Sequence, residues 1–188
     1  MLGLIGAVPK DDFPLLSSTV TLEGNMLIIG ENRIAVNRGT PAMIAAAVTT
    51  LELLERPAPH CYLVGDVGSG KGCKDLYRHL SAHLPGSSFD TLAFHYFQPD
   101  VVLFKEVVAA IEKIVPRPTL IADAGFMYVA KMGGEAPFFD LFTPDAGELA
   151  YLADEKAPHP FYTRGFILHE ENLIPDLIKR AYRHNNAA

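Results

Sequence analysis

The sequence predicts an α/β fold, a three-layer α/β/α sandwich with a mainly parallel sheet and a β-rich amino-terminal edge. Three observations carry this. From residue 39 onward, segments of helical and of strand-like periodicity alternate. Four short apolar runs, "CYLVG", "TLAFHYF", "TLIADAG" and "FFDLFTP", are each followed by a helical pattern, the order that links parallel strands through right-handed crossovers. Before residue 39, "TVTLEGNMLIIGENRIAV" divides at "EGN" and "GEN" into three strand-like pieces. Gly and Asn mark tight turns, so residues 19–37 should form a β-meander or edge.

The elements follow in order. In "RGTPAMIAAAVTTLELLE", Thr40 can cap, Pro41 suits the first helical position, and Ile44, Ala47, Val48 and Leu51 share a face. After the strand "CYLVG", the stripe of Leu76, Leu80 and Leu84 predicts a helix over 73–84. "TLAFHYF" is a second strand, and "DVVLFKEVVAAIEKIV" a helix with Leu103, Val107, Ile111 and Ile114 inward. "TLIADAG" is a third strand ending at Asp123, followed by a short helix to Gly133. "FFDLFTP" is the fourth strand and "DAGELAYLADE" the fourth helix. The Pro-rich "KAPHPFYTRGF" is a loop, and "ENLIPDLIKRAYRHNNAA" a last helix, started or kinked near Pro175.

With 188 residues, 49% hydrophobic and 20% charged, the chain can bury a sizeable core, most simply in one domain. A net charge of −6 argues against nucleic acid, which needs clustered Lys and Arg to displace counterions. The local cluster Lys179, Arg180 and Arg183 reads as the solvated face of a helix. "MLGLIGAVPKDD" has no cationic region before its apolar stretch, and Pro9 and two aspartates cut that stretch short, so no signal peptide is expected. No apolar run approaches the roughly 20 residues that span a bilayer, so no membrane partner is expected. Cys61 and Cys73 suit reduced thiols, hence a cytoplasmic location.

Ligands of open parallel sheets collect at the carboxyl ends of the strands. That rule brings "GDVGSGKG", "DAG" and "TPDAGE" to one edge. The first of these falls one residue short of the P-loop pattern G-x-x-x-x-G-K-S/T. Gly65, Gly70 and Lys71 fit, but Gly72 lacks the hydroxyl that would bind magnesium. Three readings stay open at this point: a tight strand-to-helix turn, a phosphate or substrate loop of another kind, and a degenerate P-loop. Other candidates have plain counterparts. Glu148 and Thr143 can serve a helix start, and Asp123 can cap one. His95, His159 and His169 stand isolated, Arg164 sits among aromatics that can simply pack, and Cys73 opens a helix without a matching His or Asp arrangement.

The order of motifs adds a further reading. The chain runs from a Gly-Thr-Pro-Ala helix start (Gly39 to Ala42) through Gly65-Asp66-Val67-Gly68 and Ala122-Asp123-Ala124 to Thr143-Pro144-Asp145-Ala146-Gly147-Glu148. This series resembles the ribokinase-like superfamily, and within it the ATP- or ADP-dependent NAD(P)H-hydrate dehydratases, which write these segments as G-P-G-L-G, a D-A-D-like strand end and T-P-H-x-G-E. The last match is the most specific, because Gly147 before Glu148 is closer to the dehydratases than to the T-P-N-x-x-E of sugar and pyrimidine kinases. The resemblance covers residues 39 to 154. Asp145 stands where the family has His or Asn, and the family's later G-x-G-D segment has no counterpart between Leu149 and Ala188. The expectation is therefore a single ribokinase-like domain over 1–188 that lacks its carboxyl-terminal part.

The resemblance implies ATP or ADP and Mg2+ as cofactors. It implies a reaction in which the hydroxyl of a hydrated nicotinamide is phosphorylated and phosphate then leaves. Glu148 and Asp123 would be catalytic, with Glu148 orienting metal-bound water. Gly39, Gly65, Asp66, Gly68, Gly70, Thr143 and Asp145 would contact substrate or nucleotide. The partner would be a small molecule, hydrated NAD(P)H or another hydroxyl compound, and a homo-oligomer is compatible with the fold. The alternatives are a small-molecule or sugar kinase of the same fold and a nucleotide-binding module without catalysis.

Overall fold

The computed structural model describes residues 1–154 and 174–185. Its main sheet is built around a strand that the sequence pattern did not reveal. Leu2–Val8 (β1) lies at the centre, paired in parallel with His60–Gly65 (β6) on one side and Thr91–His95 (β7) on the other. Thr119–Ala122 (β8) and Leu141–Phe142 (β9) extend the parallel sheet beyond β7, and Leu16–Thr19 (β2) closes the opposite edge antiparallel to β6. The order is β2-β6-β1-β7-β8-β9. The four expected parallel strands are present, and β1 is a fifth.

The run "LGLIGAV" has no apolar/polar alternation because both of its faces are covered, as in central parallel strands. Leu4 and Val8 enter one core and Ile5 and Ala7 the other. In β6 the split repeats, with Cys61 and Leu63 on one side and Tyr62 and Val64 on the other. Gly6 has a specific cause: a Cβ there would collide with the His95 carbonyl and crowd the Thr40 side chain.

One face is covered by Thr40–Leu53 (α1) and by a separate antiparallel meander of Thr21–Glu23 (β3), Met26–Ile29 (β4) and Asn32–Ala35 (β5). β2 is not part of that meander but an edge of the main sheet. The other core receives Lys71–His83 (α2), Val101–Ile111 (α3), Gly125–Gly133 (α4), Ala146–Ala153 (α5) and Ile174–Asn185 (α6). Leu76, Leu80 and Leu84 are all fully buried, each contributing about 1.5–3 kcal/mol of apolar burial. The fourth strand is shorter than "FFDLFTP" suggested, since Ala136–Phe138 turns as a 3-10 helix before it. α6 is tied to α5 by the buried Asn185 amide, which donates to the carbonyls of Leu152 (2.9 Å) and Ala181 (2.8 Å).

Cys61 and Cys73 are free and buried. Lys179, Arg180 and Arg183 are exposed on α6. Among the described residues, no helix is long and apolar enough to cross a membrane. The loop "KAPHPFYTRGF", with His159 and Arg164, and His169 lie outside the described residues.

Candidate functional site

The carboxyl ends of β1, β6 and β7 enclose a pocket of about 320 Å³ where the strand order reverses. Gly39, Thr40, Val67, Gly68, Tyr96 and Arg38 form part of its wall. Arg38 also borders a neighbouring hollow of about 380 Å³ with Lys10 and Arg33. Lys10 and Arg33 are paired with Asp12 and Glu23, whereas Arg38 has no carboxylate partner among the described residues.

The loop after β6 is organised by Asp66. Its Oδ1 accepts the backbone N–H of Gly68 (2.8 Å) and of Gly70 (3.0 Å), and its Oδ2 accepts that of Cys73 (3.0 Å). Burial pushes this carboxyl up, but the N–H donors of Cys73, Gly70 and Gly68 outweigh it and hold the group below the usual range. The amides that would cradle a phosphate thus already serve a carboxylate of the chain itself. Gly70 caps α2 with a left-handed φ of 76°, which glycine adopts without strain. At Gly72 a Cβ would collide with the Gly65 carbonyl oxygen. The Ser or Thr of a P-loop therefore has no room, and Lys71 is exposed at the helix start. "GDVGSGKG" is a carboxylate-capped strand-to-helix turn with Gly68 exposed beside the pocket.

His95 is not the isolated residue that its sequence neighbourhood suggests. Its Nδ1 lies 2.8 Å from Thr40 Oγ1 and its Nε2 3.3 Å from Asp123 Oδ2. Thr40 and His95 are buried, at 1% and 7% exposure, while the Asp123 side chain keeps 31%. Burial lowers the His95 pKa, opposed by the negative charge of Asp123. The other Asp123 oxygen accepts the N–H of Ala124 at 2.8 Å. The residues that follow His95 and Asp123 both have positive φ, Tyr96 at 59° and Ala124 at 47°. Such strain, about 1–3 kcal/mol each, gathers at functional sites.

Thr143-Pro144-Asp145 leads from β9 into α5. Asp145 caps the helix, accepting the Glu148 N–H at 2.8 Å, and Glu148 Oε2 accepts the Asp145 N–H at 2.8 Å in return. Oε1 of Glu148 accepts the Tyr128 hydroxyl at 3.3 Å. Burial first, then the charges of Asp145 and Asp123, raise the Glu148 pKa against these donors. The last interaction places Glu148 within electrostatic reach of Asp123. Thr143 and Asp145 are exposed. Among the described residues, no group of three or more His, Cys, Asp or Glu is arranged to hold a metal ion. Both Glu148 oxygens are already engaged within the chain, by the Tyr128 hydroxyl and the Asp145 N–H.

Cys73, whose thiol at a helix start could have had a lowered pKa, shows the reverse: burial pushes it up to about 12. It is a packing residue. What the sequence missed is the Thr40–His95–Asp123 chain, whose members stand far apart in sequence. The one available signal was that Thr40, His95 and Asp123 each end or begin an element on the same edge.

The chain is similar to an uncharacterized protein of Methanocaldococcus jannaschii, 39% identical over 142 residues, which is 75% of this chain. The match spans 57% of that protein's length. No family model matches the chain. No solved structure matches it.

Proposed function

We propose that the protein acts on a small hydroxyl compound at the carboxyl edge of its sheet, in a nucleotide-dependent reaction of the ribokinase-like kind, with hydrated NAD(P)H as the substrate. One observation carries this: Gly39-Thr40, Asp66–Gly68, Asp123 and Thr143–Glu148, the segments of the motif series, all stand at strand ends or helix starts of one edge, the first two lining a pocket of about 320 Å³ and Pro144 and Asp145 a separate hollow of about 340 Å³. Such crevices, where strand order reverses, are where open α/β sheets bind ligands.

Each residue then has a defined task. Tyr96 and Val67, exposed at 58% and 60%, offer apolar walls for a ring. Arg38, without a carboxylate partner among the described residues, offers a cation to a dinucleotide's phosphates. Asp123 and Glu148 place carboxyl groups on the same edge, where Glu148 can orient water. ATP or ADP with magnesium would supply the phosphoryl group and spread its charge. The G-x-G-D segment that the resemblance associates with the catalytic aspartate is not in these 188 residues, so the roles assigned are those of binding and orientation.

A second reading, a binding module without catalysis, is favoured by one feature: Asp66 and Glu148 both spend their oxygens on the chain's own N–H and O–H groups. Calorimetric titration with hydrated NADH, ADP and ATP in the presence of magnesium, followed by recovery of nicotinamide absorbance, tests both. Saturable binding with turnover supports the enzyme, binding without turnover the module, and no binding by a folded protein sinks both.

A further inference from the structure

Thr40 and His95 are two of the four polar or charged residues buried among the described residues. Burying a polar group costs free energy unless it is hydrogen-bonded, and Thr40 Oγ1 and His95 Nδ1 supply that compensation to each other at 2.8 Å. Their arrangement also has a direction. The Asp123 carboxylate, 3.3 Å from His95 Nε2 in an ion-pair contact, favours the ring proton on that nitrogen. In the neutral ring Nδ1 is then an acceptor, and the Thr40 hydroxyl at 2.8 Å donates to it. Thr40 is a wall residue of the pocket, and Asp123 lies on the far side of His95, towards Glu148.

We propose that Thr40, His95 and Asp123 form a proton relay leading out of the pocket, in which His95 is the base for a hydroxyl compound bound against Thr40. In the step, the ligand O–H bond breaks as its proton passes to Thr40 Oγ1, the Thr40 proton passes to His95 Nδ1, and the ligand oxygen keeps the electron pair for bond formation. One proton leaves the ligand and one arrives at the imidazole. Asp123 stays ionised and pairs with the imidazolium through Nε2–H. The reverse movement returns the proton.

Thr40 is not itself the nucleophile. Its side chain packs over Gly6, where even a Cβ would crowd Oγ1 and Cγ2, and the residue is 1% exposed. Passing a proton needs only a hydrogen bond, whereas forming a C–O or P–O bond needs open approach. Among the described residues, the charged group that faces His95 is Asp123, which directly follows β8. The Tyr96 ring lies tilted at 4.9 Å, and Gly6 of β1 stands opposite His95 in register. The positive-φ residues Tyr96 and Ala124 hold the two ends of the His95–Asp123 contact.

The relay rests on the reading above for the identity of the hydroxyl compound, but not for its own geometry, and the test separates the two. In the full-length protein, Thr40→Ser keeps the hydroxyl and Thr40→Val removes it at similar volume. With hydrated NADH, ADP or ATP and magnesium, Thr40→Val and His95→Gln should lower kcat by about 10²-fold or more with little change in KM, and Thr40→Ser by less than about tenfold. Equal kcat in Thr40→Val and Thr40→Ser overturns the relay and leaves a packing role. Nitrogen NMR of labelled histidine in the ligand-free wild type is the second measurement, independent of any substrate or of how the variants fold. A neutral ring protonated at Nε2 near pH 7 is expected, and a proton on Nδ1 refutes the relay. If wild-type protein leaves hydrated NADH unchanged, the dehydratase reading falls, and the ring tautomer decides the relay alone.

Discussion

Asp66 accepts the backbone N–H of Cys73 at 3.0 Å, and this bond joins the end of β6 to the first turn of α2. It does at a distance of seven residues what an N-cap does at three. With the Gly68 and Gly70 amides bound to the same carboxylate, Asp66→Ala would leave three donors without this acceptor. The expected loss is about 2–4 kcal/mol in urea unfolding. Because the folded carboxyl lies below its usual 3.8, its contribution is fully present above that pH and is lost as pH falls through the folded value. The variant should therefore lose the wild type's stability step below about pH 4.

His95 shifts stability at a higher pH. Its folded pKa is lowered from 6.5, so below pH 6.5 the unfolded chain takes up a proton that the folded ring refuses. Stability should fall as pH drops from 6.5 towards the folded value, and His95→Gln should flatten that part of the profile. An unchanged slope would mean that other histidines, such as the half-exposed His60 and His79 with lowered values, account for it.

Gly72→Ser restores the last letter of the P-loop pattern and tests whether that pattern has any meaning here. Its Cβ would meet the Gly65 carbonyl oxygen, so the fold should lose about 1–3 kcal/mol, read from the melting temperature, without gaining nucleotide affinity. Tighter binding of ATP in calorimetry would contradict the turn described here.

Glu148→Gln keeps an oxygen able to accept the Asp145 N–H and removes a charge that burial, Asp145 and Asp123 all disfavour. Stability at pH 7 should change by less than about 1 kcal/mol, in either direction. Turnover should slow and its magnesium dependence weaken, since charge near the phosphates is lost while shape is kept. The same magnesium titration in wild type and variant would assign Glu148 to helix capping only.

Lys71 is exposed at the start of α2, whereas Asp123 is tied to His95 at 3.3 Å. In the proposed reaction, Lys71→Ala should alter the rate by less than about tenfold, under ~1.4 kcal/mol. Asp123→Asn should cost considerably more. Recovery of nicotinamide absorbance compares both variants in one assay, and a collapse in Lys71→Ala would return the loop to the P-loop class.

What the sequence determined by itself is what neighbouring residues decide. The stripe of Leu76, Leu80 and Leu84 is a local period, and it marks α2 because one face of a helix must be buried. Gly and Asn between short apolar runs place the three strands of the meander for the same reason. β1 escaped because two glycines interrupt its apolar run and argue against a strand until His95 and Thr40 are seen above Gly6. Only the tertiary structure decided that β1 stands between β6 and β7, and with it which strand ends share an edge. Thr40 and His95 are 55 residues apart and meet because α1 begins over the end of β1 while β7 pairs with β1 in register, Gly6 opposite His95. In the same way Asp66 looked like a ligand residue beside glycines, and folding turned the glycine amides onto its carboxylate. Hydrogen-bonding side chains find partners through register and strand order, which are non-local properties, so residue types could point to the edge of the site but not to the pairs that form within it.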